Sequence, residues 1–381
     1  MKTFAAIDVG SFELTMKIFE FSGKNKMREI DRIGQHLALG TDTYSEAKIS
    51  PEKMDELCRT LREFSQIMKS YKIDAYKAYG TSAIRETENT TIILDQIAQR
   101  TGLKVEVLSN SEQRFLDYKS IASKGEAFRK IIEEKTAIVD IGGGSIQISL
   151  FENDTLIATQ NMRLGVLRVQ ERINHLNARP SQMESLVDEM ASAQLATFKK
   201  MYLKDHTIKN IIIVDDYLSP WAVRKAGKDG GKAIADIGQY EELLGLLRTN
   251  SQMQAAALLD IPEEKVPLVY ISAIILRRIA LLLGAEKMWA PGVTLCDGIA
   301  YEYAEKNKML TGEHDFEKDI IACAMNISKR YMGSRKRAET LEKIALTIFD
   351  SMKKIHGLGK RERLYLRLSA LLHDCGKYIT W

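Results

Sequence analysis

Residues 4–21 alternate apolar and polar positions: Phe4 and Ala6, then after Gly10-Ser11 the set Leu14, Met16 and Ile18. Period two of this kind predicts strand–turn–strand. Ser50-Pro51 opens a helix as cap followed by proline, and Met54, Leu57, Cys58, Leu61, Phe64 and Met68 mark its inner face. The pattern then predicts a short strand at 75–79 ending on Gly80, a helix over 90–100 closed by Gly102, and a strand at 104–108. Alternation returns over 136–152, followed by a helix at about 182–202 and a buried strand at Ile211-Ile212-Ile213-Val214. Helices dominate beyond that point. The stretch Val269–Leu283 is apolar but broken by Arg277-Arg278, and reads as a buried helix too short and too charged to cross a bilayer. Glu305 to Asp319 is charged and linker-like, and a helical block runs from about 319 to Trp381.

The two alternating segments repeat each other. Asp8-Val9-Gly10 is followed by Leu14, Met16, Ile18 and Phe19-Glu20; Asp140-Ile141-Gly142 is followed by Ile146, Ile148, Leu150 and Phe151-Glu152. Every pair is separated by the same 132 residues (8 to 140, 20 to 152). Two hairpins with an Asp-x-Gly turn, one opening each half, predict two lobes on one plan. Turn preference and ordinary alternation could produce part of this match by chance.

Composition narrows the classes. The 381 residues carry 55 Lys+Arg against 51 Asp+Glu, a net charge of +4, with 45% hydrophobic and 28% charged residues. That length predicts two or three domains with real cores. It excludes a disordered or fibrous chain, and the thin positive excess excludes the dense basic face of a dedicated DNA binder. The four cysteines (Cys58, Cys296, Cys323, Cys375) form no CxxC pair, which speaks for a reducing, cytoplasmic setting. No signal peptide or membrane span is expected at the N-terminus, where Asp8 interrupts the apolar run.

The chemistry concentrates in Asp140-Ile141-Gly142-Gly143-Gly144-Ser145. Three glycines between strands let amides turn toward one point and bind an anion, phosphate above all, with Asp140 placed for a metal ion or a water. A glycine-rich hairpin turn is the plainer alternative. The pattern is neither a P-loop nor GxGxxG. Asp8-Val9-Gly10-Ser11 is its weaker twin.

With Gly80-Thr81-Ser82-Ala83-Ile84-Arg85-Glu86 and Arg163-Leu164-Gly165-Val166 added in order, the chain resembles the exopolyphosphatase / guanosine pentaphosphate phosphatase (Ppx/GppA) family of the actin-like phosphotransferase superfamily. The resemblance covers about the first 300 residues. It implies an α/β fold of two actin-like (ribonuclease H-like) lobes around a central cleft, at 1–125 and 126–304. It also implies an incomplete all-α HD-like domain at 319–381, whose motif would be Leu371-Leu372-His373-Asp374-Cys375-Gly376-Lys377. The implied activity is release of a terminal phosphate from polyphosphate or guanosine pentaphosphate with Mg²⁺. Carried over by position, Asp8 and Asp140 would hold metal and water, and Gly10, Ser11, Gly142, Gly143, Gly144 and Ser145 would bind phosphate. Arg85 would clamp it, unless it pairs Glu86 or Glu88, and Glu112 would activate the water. Ser109-x-x-Glu112 is also a capping box, which by itself explains both residues. Relatives carrying the helical block are often homodimers.

Several positions depart from the family pattern. Phe12 and Glu13 replace two polar phosphate ligands, and Glu13 would repel a polyanion by about 1 kcal/mol. Gln113 and Gln147 replace glutamates, Asp215-Asp216-Tyr217-Leu218-Ser219 stands where Gly-Gly-Thr is expected, and Cys296-Asp297-Gly298 where Arg-Glu-Gly is. In the last block Arg337 takes the place of a metal-binding histidine, so no metal is expected at His373-Asp374. The basic run Lys329–Arg337 reads as a solvated helix end, with polyanion anchoring as the other reading. Two functions follow: a phosphohydrolase, or a regulatory protein that binds polyphosphate or nucleotide without turnover. An ATP-hydrolysing reading is disfavoured by the missing glycine segment.

Overall fold

The computed structural model describes residues 2–23, 26–203, 207–215, 217–219, 221–222, 234–312 and 314–379. Asp216 and Trp381, both singled out in the sequence, lie outside the described residues. Strands β1 (Lys2–Val9), β2 (Glu13–Phe21), β3 (Met27–His36), β4 (Ala75–Gly80) and β5 (Val105–Val107) form one sheet in the order β3-β2-β1-β4-β5. The first three pair antiparallel, and β4 and β5 continue parallel to β1. The second sheet contains β6 (Thr136–Ile141), β7 (Ile146–Glu152), β8 (Thr155–Met162), β9 (Asn210–Asp215), β10 (Ile234–Asp236) and β11 (Lys287–Trp289), in the order β10-β11-β9-β6-β7-β8. Apart from the antiparallel edge strand β10, this is the first sheet over again.

The internal repeat extends to register. Asp8 lies opposite Thr15 in the first hairpin, and Asp140 opposite Gln147 in the second, again 132 residues on. A slip of one residue would turn each strand's apolar set outward, so the buried faces hold the two aspartates at equivalent strand ends.

Each sheet is covered on both sides. In the first, Ala5, Ile7, Leu14, Met16 and Ile18 face helices Pro51–Ser70 and Thr90–Thr101. Phe4, Ala6, Phe19 and Phe21 face Asn110–Ala122 and Leu295–Lys306. Leu295–Lys306 therefore returns from the far end of the chain to the first sheet. Asp297 Oδ2 meets Lys17 Nζ at 2.8 Å in a buried contact shared with Glu29. A Cβ on Gly298 would stand 1.9 Å from the Leu116 carbonyl oxygen, so glycine alone permits this helix crossing. Helix Val266–Leu283 is the spine of the second core. With the turn before it, it is long and apolar enough to cross a membrane, contrary to the sequence reading of its length. Two thirds of that segment is buried inside the fold, as in the core helix of a globular lobe.

Residues 305–319 form more than a tether. Glu305 pairs with the buried Lys119 at 2.6 Å, and His314 is sandwiched between Asp319 (Nε2–Oδ2 2.6 Å) and Asp154 (Nδ1–Oδ1 3.3 Å). Asp319 also accepts the Leu156 amide, which fixes helix Phe316–Arg330 to the edge of β8. Helices Arg335–Ser351 and Lys360–Leu372 pack on it through Ala324, Ala338 and Leu371. Within that block His373 Nδ1 meets the Ala370 carbonyl, and Asp374 pairs with Lys377.

Burial alone would lower the His314 pKa, but the hydrogen bond and charge of Asp319, with Asp154 and Asp315, outweigh it and hold the imidazole above its usual value. A folded-state pKa above the unfolded one gives stability that is complete below about pH 6.5 and lost as pH rises through the folded value. His314→Gln is therefore expected to destabilise the protein by about 1.5–3 kcal/mol at pH 5.5, in the range of hydrogen bonds to charged groups. The difference from the parent shrinks as the pH rises above 7.5, and urea unfolding at both pH values measures it.

Candidate functional site

The β1–β2 and β6–β7 turns meet between the lobes. Strands β1 and β6 deliver Asp8 and Asp140 to a cavity of about 60 Å³, lined also by Ser11, Gly142, Gly143 and Asp117. That volume holds a few waters.

The glycine loop is shaped by the helix behind it, Val166–His175. Val166 N–H donates to the Gly142 carbonyl, and those of Leu167 and Arg168 to the Gly143 carbonyl, at 3.0–3.2 Å. Arg168 Nε donates to the Gly144 carbonyl at 2.9 Å. In a planar trans peptide the next residue's N–H points opposite the carbonyl. Three carbonyls turned to the helix thus turn the amides of Gly143, Gly144 and Ser145 away from it, the arrangement of an anion-binding nest. The Gly142 amide is taken by the Ser145 carbonyl at 3.0 Å. None of the three glycines has a positive φ. Their requirement is space: a Cβ on Gly143 would lie 2.9 Å from Ser11 Cβ, and one on Gly144 2.2 Å from Tyr44 Oη. A Cβ on Gly165 would fall 2.2 Å from the Gly144 carbonyl carbon, which explains the Arg-Leu-Gly-Val motif.

The first loop carries the lobe contact. Ser11 Oγ lies 2.8 Å from both Tyr44 Oη and Ser82 Oγ, which stand 3.0 Å apart, so the three hydroxyls form a ring beneath the glycine loop. Phe12 joins the apolar core of the second lobe, against Tyr217 and beside His36. Glu13 pairs with Lys265 of the second lobe at 2.7 Å. Its charge is therefore offset, and the repulsion expected from the sequence is countered by this lysine. On the other side of the cleft Glu86 receives Arg163 and Arg168 at 2.7 and 2.6 Å.

Arg85 forms no salt bridge with Glu86, although the Glu86 charge acts on it. Its guanidinium donates to the Leu108 carbonyl (2.7 Å) and to Gln113 Oε1 (3.3 Å), while Nη2 is buried without a hydrogen bond. Burial lowers its pKa, though an arginine stays charged. Gln113 lines the cavity; Glu112 does not. The Glu112 carboxylate accepts the Ser109 amide at 2.9 Å while Ser109 Oγ accepts the Glu112 amide at 3.2 Å, a complete capping box on an exposed turn. The hydrogen bonds from Ser109 hold its pKa below the ordinary value. Structure thus gathers Asp8, Asp140, Gly10, Ser11, Gly142 and Gly143 at one cavity, with Gly144 and Ser145 adjoining, Arg85 behind Gln113, and Glu112 outside.

Two substituted positions have new partners. Gln147 Oε1 accepts from Arg114 Nε at 2.8 Å, and its Nε2 donates to Asp140 Oδ2 at 3.2 Å. Asp215 Oδ1 accepts the amides of Tyr217, Leu218 and Ser219 at 3.2, 2.7 and 2.6 Å, and Oδ2 accepts from Ser272. At the place where the resemblance implies Gly-Gly-Thr, the Asp215 carboxylate of this chain fills a three-amide nest. Asp117, buried in the cavity wall, is a residue that sequence reading missed. Its spacing of four from Gln113 was the available signal.

Among the described residues no three His, Cys, Asp or Glu side chains stand together as a metal cluster. Two cavity aspartates fit the manner in which Mg²⁺ is held, by one or two carboxylates, several waters and substrate phosphates.

The description that matches residues 18–307 is that of the Ppx/GppA phosphatase family. The chain belongs to that family. It is 23% identical over 401 residues to the guanosine-5'-triphosphate,3'-diphosphate pyrophosphatase of Photobacterium profundum, covering 99% of this chain and 73% of that one. It is 22% identical over 174 residues to a bifunctional 3-dehydroquinate synthase/phosphatase of Fusobacterium nucleatum, where 44% of this chain spans only 26% of the relative. Among solved structures, an exopolyphosphatase from Cytophaga hutchinsonii superimposes with a TM-score of 0.69 at 16% identity, over 81% of this chain and 100% of that one. That likeness establishes the two-lobed fold of the Ppx/GppA structures.

The loop packing gives a direct test. Gly165→Ala forces a methyl group into the backbone of the glycine loop and is expected to cost about 3 kcal/mol, the upper end of ordinary overpacking. Gly245→Ala, in helix Ile237–Thr249 with open space around it, is expected to stabilise by up to about 1 kcal/mol. Guanidinium unfolding of both variants measures the contrast.

Proposed function

We propose that the protein is a phosphohydrolase that removes the terminal phosphate of polyphosphate or guanosine pentaphosphate with a divalent metal, Mg²⁺ being the best match. The observation that carries the reading is the amide nest of Gly143, Gly144 and Ser145 beside two aspartates on equivalent strand ends. Phosphoanhydride hydrolysis needs charge on the transferring group offset and a water placed in line. The nest amides would take the phosphoryl oxygens, and Arg85 would add positive charge from behind Gln113. Asp8 and Asp140 would hold the ion, which when bound supplies charge neutralisation on the phosphoryl group. Both substrate classes come from the names of the relatives. Four free cysteines support a reducing, cytoplasmic location, and a homodimer is the assembly we carry over from relatives with a helical block.

A second reading, a binding protein without turnover, is favoured by the filled nest at Asp215 and by the small cavity. One assay separates the two: phosphate release from polyphosphate and from guanosine pentaphosphate, with and without Mg²⁺. The parent is expected to release phosphate only with the metal. Asp140→Asn is expected to lose about 10²–10³-fold in kcat, the scale of one lost electrostatic group at a reacting centre. Tight binding with no release by the parent would select the second reading.

A further inference from the structure

Three carbonyls of the glycine loop set the direction of the nest's amides, and they are not held alike. Those of Gly142 and Gly143 accept backbone amides of helix Val166–His175, which belongs to the same lobe as the loop. The Gly144 carbonyl, which fixes the way the Ser145 amide points, accepts from a side chain, Arg168 Nε, at 2.9 Å. A backbone amide is carried rigidly by its helix. A long arginine side chain keeps one geometry only where its head is held, because ordering it costs rotamer freedom.

The head of Arg168 is held by the other lobe. Its Nη2 donates to Glu86 Oε2 at 2.6 Å, and its guanidinium carbon lies 4.3 Å from the centre of the Tyr44 ring. Glu86 ends helix Ser82–Glu86 and Tyr44 lies on helix Leu39–Glu46, both in the first lobe. Only 25% and 18% of the Arg168 and Glu86 side chains are exposed, so salt screens the pair less than a surface one. The planar fork of a guanidinium lets one group serve a carbonyl, a carboxylate and an aromatic face together.

We propose that Arg168 is a positioning residue that completes the phosphate nest when the lobes close. Closure brings Glu86 and Tyr44 to Arg168, Arg168 fixes the Gly144 carbonyl, and the Ser145 amide turns to the phosphoryl group. By linkage, a phosphoryl group in the nest then favours the closed lobes. The inference rests on that part of the reading above in which the nest takes a phosphoryl group, and not on turnover.

Calorimetric titration with methylene diphosphonate and Mg²⁺ tests it, because the P–C–P bridge of this pyrophosphate analogue is not hydrolysed. Arg168→Ala is expected to raise Kd by about 5–50-fold, the scale of coupling between sites. Glu86→Ala separates coupling from plain electrostatics. By charge alone, removing an acidic group near an anion site leaves binding unchanged or tighter. The coupling demands the opposite, a Kd higher by about fivefold or more. In the double variant the two losses do not multiply, and Kd stays within about threefold of that of Arg168→Ala. Arg163→Ala removes the exposed second arginine at Glu86 and is expected to stay within about twofold of the parent. Binding by Glu86→Ala as tight as the parent's, losses that multiply, or an equal loss in Arg163→Ala overturns the inference. So does a parent that binds no diphosphonate. A parent that binds it but releases no phosphate from polyphosphate or guanosine pentaphosphate overturns the hydrolase reading and leaves this inference standing. If Glu86→Ala melts below the assay temperature, Glu86→Asp decides, since it keeps the charge and shortens the reach by one methylene. A Kd raised about threefold or more supports the inference, and an unchanged Kd overturns it.

Discussion

The contact on which the rest of the structure depends is the seating of the loop Gly142–Ser145 between helix Val166–His175 and Ser11 of the other lobe. The helix has unpaired N–H groups in its first turn, as every helix does, and the loop carbonyls satisfy them. Because peptide planes are rigid, that one set of bonds fixes which way the loop's amides point. The glycines are then needed for room on both sides, against Ser11 and Tyr44 at the front and Gly165 behind. Phosphate-loop geometry and lobe closure are thus consequences of the same packing. A change that loosened one would disturb the other.

Around that contact, the chain balances an unusually acidic cavity. Five carboxylates along the wall of this cavity would repel one another if all were bare, since a low-dielectric setting magnifies each pair. Each known partner is of a different kind: an ammonium for Glu13, a ring of amides for Asp215, a glutamine amide for Asp140. The protein's overall +4 charge contributes little here, because surface charge is screened beyond about a Debye length. On the proposed function, anion binding would come from the loop amides and Arg85 at close range.

Much of the fold was legible in the residues. The hairpins β1–β2 and β6–β7 were clear because both faces of their strands alternate in period two and a glycine turn separates them. Strands β3 and β8 escaped notice: β3 is partly solvated along its length, so its polar sequence has little alternation, and β8 is similarly half-exposed. The return of Leu295–Lys306 to the first sheet depends on the buried Lys17–Asp297 contact across 280 residues, which no local pattern announces. At the site, the placing of Asp8, Gly10, Asp140 and the glycine loop was legible because it is local to two turns. Glu112 had two readings, cap and base; the capping box is formed, and which positions of this helix line the cavity depends on packing that no local pattern announces. The departures Phe12 and Glu13 looked like losses of phosphate ligands. Their second function, bracing the lobes, requires Tyr217 and Lys265, some 200 residues and more away.

The substitutions around the cleft share one physical consequence. Phe12, Glu13, Gln147 and Asp215 each replace a group that could face a ligand with one that is engaged inside the chain. Polar groups already paired within the fold are unavailable to a second anion unless those pairs break, at a cost of about 1–3 kcal/mol for each buried partner stranded. A single terminal phosphoryl group at the nest of Gly143, Gly144 and Ser145 would break none of them. On the proposed function, the geometry that narrows the cavity would favour end-on recognition, in which the last phosphate enters and the remainder of the chain stays outside the lobes.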